Sequence, residues 1–156
     1  MARSDFRFRF PLRVRYAECD MQGIVFNSRY LEYLDVGVTE YWRAVGATAE
    51  NWGAEDWRNF DFHVARNLID YRKPLLLDET FDICLRSDRI GTTSMSLTWE
   101  IHGHAEGDDQ DDLRVEGAQV CVHVATARGA PAPVPAQVIE MFSAYEGREL
   151  QRKAAA

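Results

Sequence analysis

Phe6-Arg7-Phe8-Arg9-Phe10-Pro11-Leu12-Arg13-Val14-Arg15-Tyr16 places an apolar side chain on every even position and arginine on 7, 9, 13 and 15. A period of two over this span specifies a strand with one apolar face. Downstream the period changes. Tyr30, Leu31, Leu34, Val38, Tyr41, Trp42 and Val45 are spaced by one, three or four, and form one helical stripe. Arg29, Glu32, Asp35, Glu40 and Arg43 lie mostly away from it. Asn27 or Ser28 can cap the start, and Gly46 suits the end. Gly37, in mid-helix, costs about 1 kcal/mol relative to alanine; it would permit close approach to a strand.

Period-two runs dominate the rest. Phe60, Phe62 and Val64 open one that continues to about Tyr71; Phe81, Ile83 and Leu85 alternate, as do Met95, Leu97, Trp99 and Ile101. Ala118, Val120, Val122 and Val124 form a last strand. Gly91 marks a hairpin turn between the strands near 80–90 and 93–102. Thr48 to Arg58 reads as a short helix, and Gly103 to Gly117 as a polar, solvated hairpin tip carrying Asp108, Asp109, Asp111 and Asp112. Pro131, Pro133 and Pro135 precede a C-terminal helix from about Ala136 to Tyr145. One strand, one long helix and then four or so antiparallel strands make an α+β layer arrangement. The expectation is a single domain over residues 1–156, ordered from about 6 to 145.

With 156 residues the chain can build one sizeable core. Its net charge of −7 argues against nucleic acid as a partner. The apolar runs fall far short of a membrane span, and Met1 to Phe10 lacks the apolar block of a signal peptide. A cytoplasmic protein is expected. Cys19, Cys84 and Cys121 are widely spaced, without the pattern of a zinc knuckle or disulfide framework, and read as small apolar fillers. His102 and His104 share a strand face but lack a third ligand at a recognised spacing, so no metal site is expected. G-x-S-x-G, a phosphate loop and a dinucleotide fingerprint are all missing from the sequence.

Arg15 to Tyr30 carries the chemistry. Asp20 sits on a turn containing Gly23, just ahead of the long helix. A helix start offers unsatisfied N–H donors and a positive dipole end, so a carboxylate placed there can meet a substrate whose oxygen those donors hold. The backbone N–H near Asn27 is the candidate donor for a developing oxyanion, Asp20 the candidate nucleophile or general base, and Gly23 the residue that takes positive φ or clears the approach.

D-x-x-G-x-V at Asp20, Gly23 and Val25, the cap at Asn27, Tyr30 and Leu31, and then Tyr71-Arg72-Lys73-Pro74-Leu75 together resemble the 4-hydroxybenzoyl-CoA thioesterase family of hotdog-fold acyl-CoA thioesterases. The resemblance runs from about Phe8 to Pro135, with Asp82 and the Ser94 strand also in place. Related members often carry histidine after the motif's glycine, whereas this chain has Ile24. The resemblance implies an antiparallel sheet wrapped around one long central helix. It also implies acyl-CoA as substrate, no cofactor, no membrane partner, and a homodimer or homotetramer with sites at the dimer interface.

Coenzyme A carries phosphates, and an acidic chain must meet them locally. Arg72, Lys73, Arg86 and Arg89 are the basic candidates, with Arg89, just before Gly91, resembling a family CoA contact. Tyr30 is a candidate acyl contact as well as a core residue. Thioester hydrolysis leads. A hydratase or dehydratase on the same fold would need a histidine near the helix start, and a non-catalytic acyl-thioester binder is the third reading. The acyl group is open.

Overall fold

A computed structural model describes residues 1–47, 61–104, 112–125 and 129–151. The proposed helix over 48–58 and the acidic residues 108, 109 and 111 lie outside them. Among the described residues five strands form one antiparallel sheet: β1 (Phe8–Arg13), β2 (Phe62–Tyr71), β3 (Thr80–Ile90), β4 (Ser94–Gly103) and β5 (Asp112–His123), in the spatial order β1-β3-β4-β5-β2. Among the described residues two α-helices accompany it, α1 (Arg29–Val45) and α2 (Ala136–Glu146). Among the described residues no helix is long and apolar enough to cross a membrane.

Contacts cluster into two units. The first contains Met1–Tyr41, Ile69–Leu85 and Trp99–Gly117. Here β1 runs antiparallel to β3 with Phe8 opposite Leu85 and Phe10 opposite Ile83. The even residues of β1 and the odd residues of β3 therefore share a face, and α1 packs on it. The rings of Tyr33 and Phe81 lie 4.8 Å apart, and those of Phe8 and Tyr41 5.1 Å. A Cβ on Gly37 would sit 2.8 Å from Ile83 Cδ1 and 2.9 Å from Leu85 Cδ1. Glycine in mid-helix is thus the close approach expected from the sequence. The second unit contains Trp42–Leu68, Arg86–Thr98 and Ala118–Ala156. Its centre is Trp42, with ring centroids 4.7 Å from Phe142 of α2 and 5.4 Å from Phe62. Gly147, at φ 67°, ends α2.

Two boundaries differ from the sequence reading. β1 stops at Arg13, and Tyr16–Glu18 is a short 3-10 turn instead of strand. Tyr16 is accordingly exposed, although it continues the period-two pattern. β5 begins at Asp112, so residues 112–117 are strand and not loop. Polar alternation hid it: Asp112, Arg114 and Glu116 pair with Lys73, Glu79 and Arg72 instead of covering a core. α1 begins at Arg29, immediately after Ser28, one of the two caps expected. The helix stripe also needs one exchange. Leu31 is exposed, whereas Tyr33 is buried.

Candidate active site

The segment between β1 and α1 folds as a pinned loop. Cys19 and Val25 form an antiparallel bridge, the Asp20 N–H donates to Ile24 O at 2.9 Å, and the Gly23 N–H returns to Asp20 O at 3.0 Å. Gly23 has φ +77°, with nothing within 4 Å of where a Cβ would stand. Its need for glycine is conformational and not steric. The loop is then fastened to the segment after β2: Val25 N–H donates to Leu75 O at 2.9 Å, Leu75 N–H to Tyr30 Oη at 3.0 Å, and Tyr71 Oη to Asn27 O at 2.9 Å.

Between these two segments lies a cleft of about 480 Å³, the size of a small-ligand pocket. Asp20, Asn27, Tyr30, Arg72 and Lys73 all line it, together with Ile24, Phe26 and Tyr71. Five residues chosen from sequence therefore meet in one place, and Gly23 forms the turn between two of them. Arg89 lines a different cleft, with Asp88, Arg148 and Leu150. No histidine lines the Asp20 cleft. His102 is buried against Glu100 at 2.7 Å and His104 meets Asp82 at 3.0 Å. Among the described residues no cluster of three side chains is arranged to hold a metal ion.

Asp20 Oδ1 accepts the Gln22 N–H at 2.7 Å. That bond orients the carboxylate, and Oδ2 receives no hydrogen bond from the described residues. At the other side of the cleft, the turn into α1 bonds Arg29 N–H to Phe26 O and Leu31 N–H to Ser28 O. The N–H groups of Asn27 and Ser28 have no acceptor among the described residues. A half-free carboxylate thus shares a cleft with the open Asn27 N–H, just ahead of a helix start, where the dipole favours negative charge. Such a pairing can deliver an oxygen nucleophile or take a proton, and can hold an oxyanion.

Two residues that the sequence did not single out support the site. Glu18 is buried and accepts from Arg15 N–H at 2.7 Å, Arg15 Nε at 2.7 Å and Tyr33 Oη at 2.6 Å. Arg114 donates to Pro74 O at 2.6 Å and Asp112 at 2.8 Å, and pairs with Glu79. It clamps the segment that forms the cleft's far rim. Burial lifts the Tyr30 hydroxyl above its ordinary value, so it stays protonated.

The thioesterase-like superfamily model matches residues 14–142, most of the chain and all of the cleft. The chain belongs to the thioesterase-like superfamily. The hotdog fold expected from the sequence is the one seen. A thioesterase from Thermus thermophilus, solved with coenzyme A and zinc, superposes with a TM-score of 0.74 at 26% identity, covering 92% of this chain and 96% of that one. A mutant 4-hydroxybenzoyl-CoA thioesterase solved with 4-hydroxybenzoyl-CoA superposes at 0.76, with 16% identity over 87% of this chain and 98% of that one, and shares the fold. The acyl-CoA thioester hydrolase YbgC of Escherichia coli O6:H1 is 24% identical over 86% of this chain and 95% of its own. The residues lining the Asp20 cleft all fall within the matched range.

Proposed function

We propose that this protein is an acyl-CoA thioesterase, hydrolysing an acyl-CoA to a free carboxylic acid and coenzyme A. One observation carries the reading: in a member of the thioesterase-like superfamily, Asp20 shares its cleft with Asn27, whose N–H has no acceptor among the described residues. The thioester carbonyl oxygen takes the Asn27 N–H. In the general-base course, Asp20 removes a proton from water as the water oxygen bonds to the carbonyl carbon. Charge collects on the carbonyl oxygen, where one well-placed donor is worth about 3–4 kcal/mol. The C–S bond then breaks, and the coenzyme A sulfur leaves as thiolate and takes up a proton. In the nucleophilic course, an Asp20 oxygen forms the bond itself and water hydrolyses the anhydride. Both courses use the same atoms, and neither calls on a cofactor. Tyr30 and Phe26 bound the acyl end, and Arg72 and Lys73 meet the phosphates. Arg89 lies outside this cleft, so it is not assigned to that contact.

The single domain over residues 1–156 belongs to the same proposal, in keeping with a family match that runs over 14–142. So does a homodimer, or a homotetramer built from it. β2 is an outer strand of the sheet, and Val64, Leu68 and Tyr71 on it are exposed. Such an edge invites a second copy. Three free cysteines suit the reducing cytoplasm.

The test is a panel of acyl-CoA substrates with thiol release as readout. Turnover on one of them, lost in Asp20→Asn, supports hydrolysis. Water addition to an enoyl-CoA without thiol release would turn the assignment to a hydratase. Calorimetric binding without turnover across the panel would turn it to a non-catalytic binder.

A further inference from the structure

Both cations at the cleft rim already face carboxylates of β5. Arg72 Nε donates to Glu116 Oε1 at 2.8 Å, and its Nη2 reaches the same oxygen. Lys73 Nζ lies 3.0 Å from Asp112 Oδ1. Beneath them the N–H groups of Arg72 and Lys73 donate to Arg114 O at 2.8 and 3.1 Å, so the backbone of the rim is fixed to β5 independently of the side chains. The two carboxylates differ in their other bonds. Asp112 also accepts from Arg114 Nε at 2.8 Å, whereas among the described residues Glu116 has Arg72 as its side-chain hydrogen-bond partner. Half of the Arg72 side chain remains exposed.

An exposed ion pair of this kind is held weakly, and a phosphate can replace the carboxylate on a guanidinium with equal or better geometry. We infer that Glu116 is a built-in competitor for the phosphate groups of the substrate at Arg72, setting how tightly the cleft holds its nucleotide end; this rests on the reading of Arg72 and Lys73 as phosphate contacts. Glu116 holds the guanidinium extended along the rim when the cleft is empty. It recaptures the guanidinium when the phosphate leaves. The device favours release of coenzyme A over retention.

Calorimetric titration of the full chain with coenzyme A and with pantetheine, which lacks the nucleotide phosphates, tests this. Glu116→Gln is expected to tighten coenzyme A binding about two- to fivefold, the range for losing one surface competitor, and to leave pantetheine binding unchanged. Arg72→Gln is expected to weaken coenzyme A alone. If Arg72→Gln weakens coenzyme A but Glu116→Gln does not tighten it, the competitor role is overturned and the phosphate contact stands. If Arg72→Gln has no effect on coenzyme A binding, the phosphate contact fails and the competitor role fails with it.

Discussion

The Tyr33 hydroxyl donates to Glu18 Oε2 at 2.6 Å inside the protein, joining α1 to the loop that carries Asp20. The same carboxylate holds Arg15 at the loop's entry, and the Glu18 carbonyl accepts the Phe26 N–H at its exit, next to Asn27. One residue therefore ties both ends of the Asp20 loop to the helix. Burial pushes the Glu18 carboxyl upward, but the Arg15 N–H, the Tyr33 hydroxyl and the Arg15 guanidinium outweigh it, and the net shift is below the ordinary 4.5.

Removing that carboxylate strands a buried hydroxyl and a backbone N–H. Glu18→Ala should lower stability by about 1–3 kcal/mol. Because the folded value is depressed, its contribution is complete above the unfolded value and is lost as pH falls through the folded one. Urea midpoints of wild type and Glu18→Gln should differ at pH 7 and converge as pH drops below about 4.5. A gap that persisted unchanged to pH 3 would mean that Glu18 is not ionised in the fold.

Gly37→Ala sets helix propensity against space. Alanine gains about 1 kcal/mol in a helix, yet its Cβ would stand 2.8 Å from Ile83 Cδ1. Ile83 and Leu85 are fully buried, so neither methyl has room to retreat. Overpacking costs about 1–3 kcal/mol, and the net effect should be loss of stability. Ile83→Val removes the clashing methyl. The double variant should recover part of the loss, visible as a non-additive denaturation midpoint.

Burial, with the Asp82 and Glu100 carboxylates nearby, pushes the Cys84 thiol up to about 12, and burial pushes that of Cys121 up to about 11. Both should resist thiol reagents in the native protein. Cys19, half-buried in the loop, should be the cysteine that reacts, with all three reacting in guanidinium. Rapid native labelling of Cys84, read by peptide mass mapping, would contradict its burial. The result also sets the background of any assay that detects coenzyme A thiol.

Much of this was readable from the chain. The alternation from Phe6 onward, the helical stripe and Asp20-x-x-Gly23 report local periodicity and turn chemistry, which sequence carries directly. Gly37 was legible because a glycine in a good helix needs a reason. Glu18 was not, since an Arg15–Glu18 spacing looks like any surface pair until Tyr33 closes over it. Arg114 and Glu116 were missed because strand β5 begins in a polar run, where alternation serves ion pairs across the sheet and not a core. Arg89 was placed by resemblance to a CoA contact, and local sequence could not show that it lines another cleft.

The steady-state kcat of Asp20→Asn on an acyl-CoA that the wild type hydrolyses is the most direct measurement. Asparagine keeps the shape and can still accept the Gln22 N–H, but it neither attacks nor takes a proton. A fall in kcat of about 10²–10⁴-fold, with unchanged thermal unfolding, is predicted. A folded Asp20→Asn protein with kcat within about twofold of wild type would contradict the assignment of Asp20.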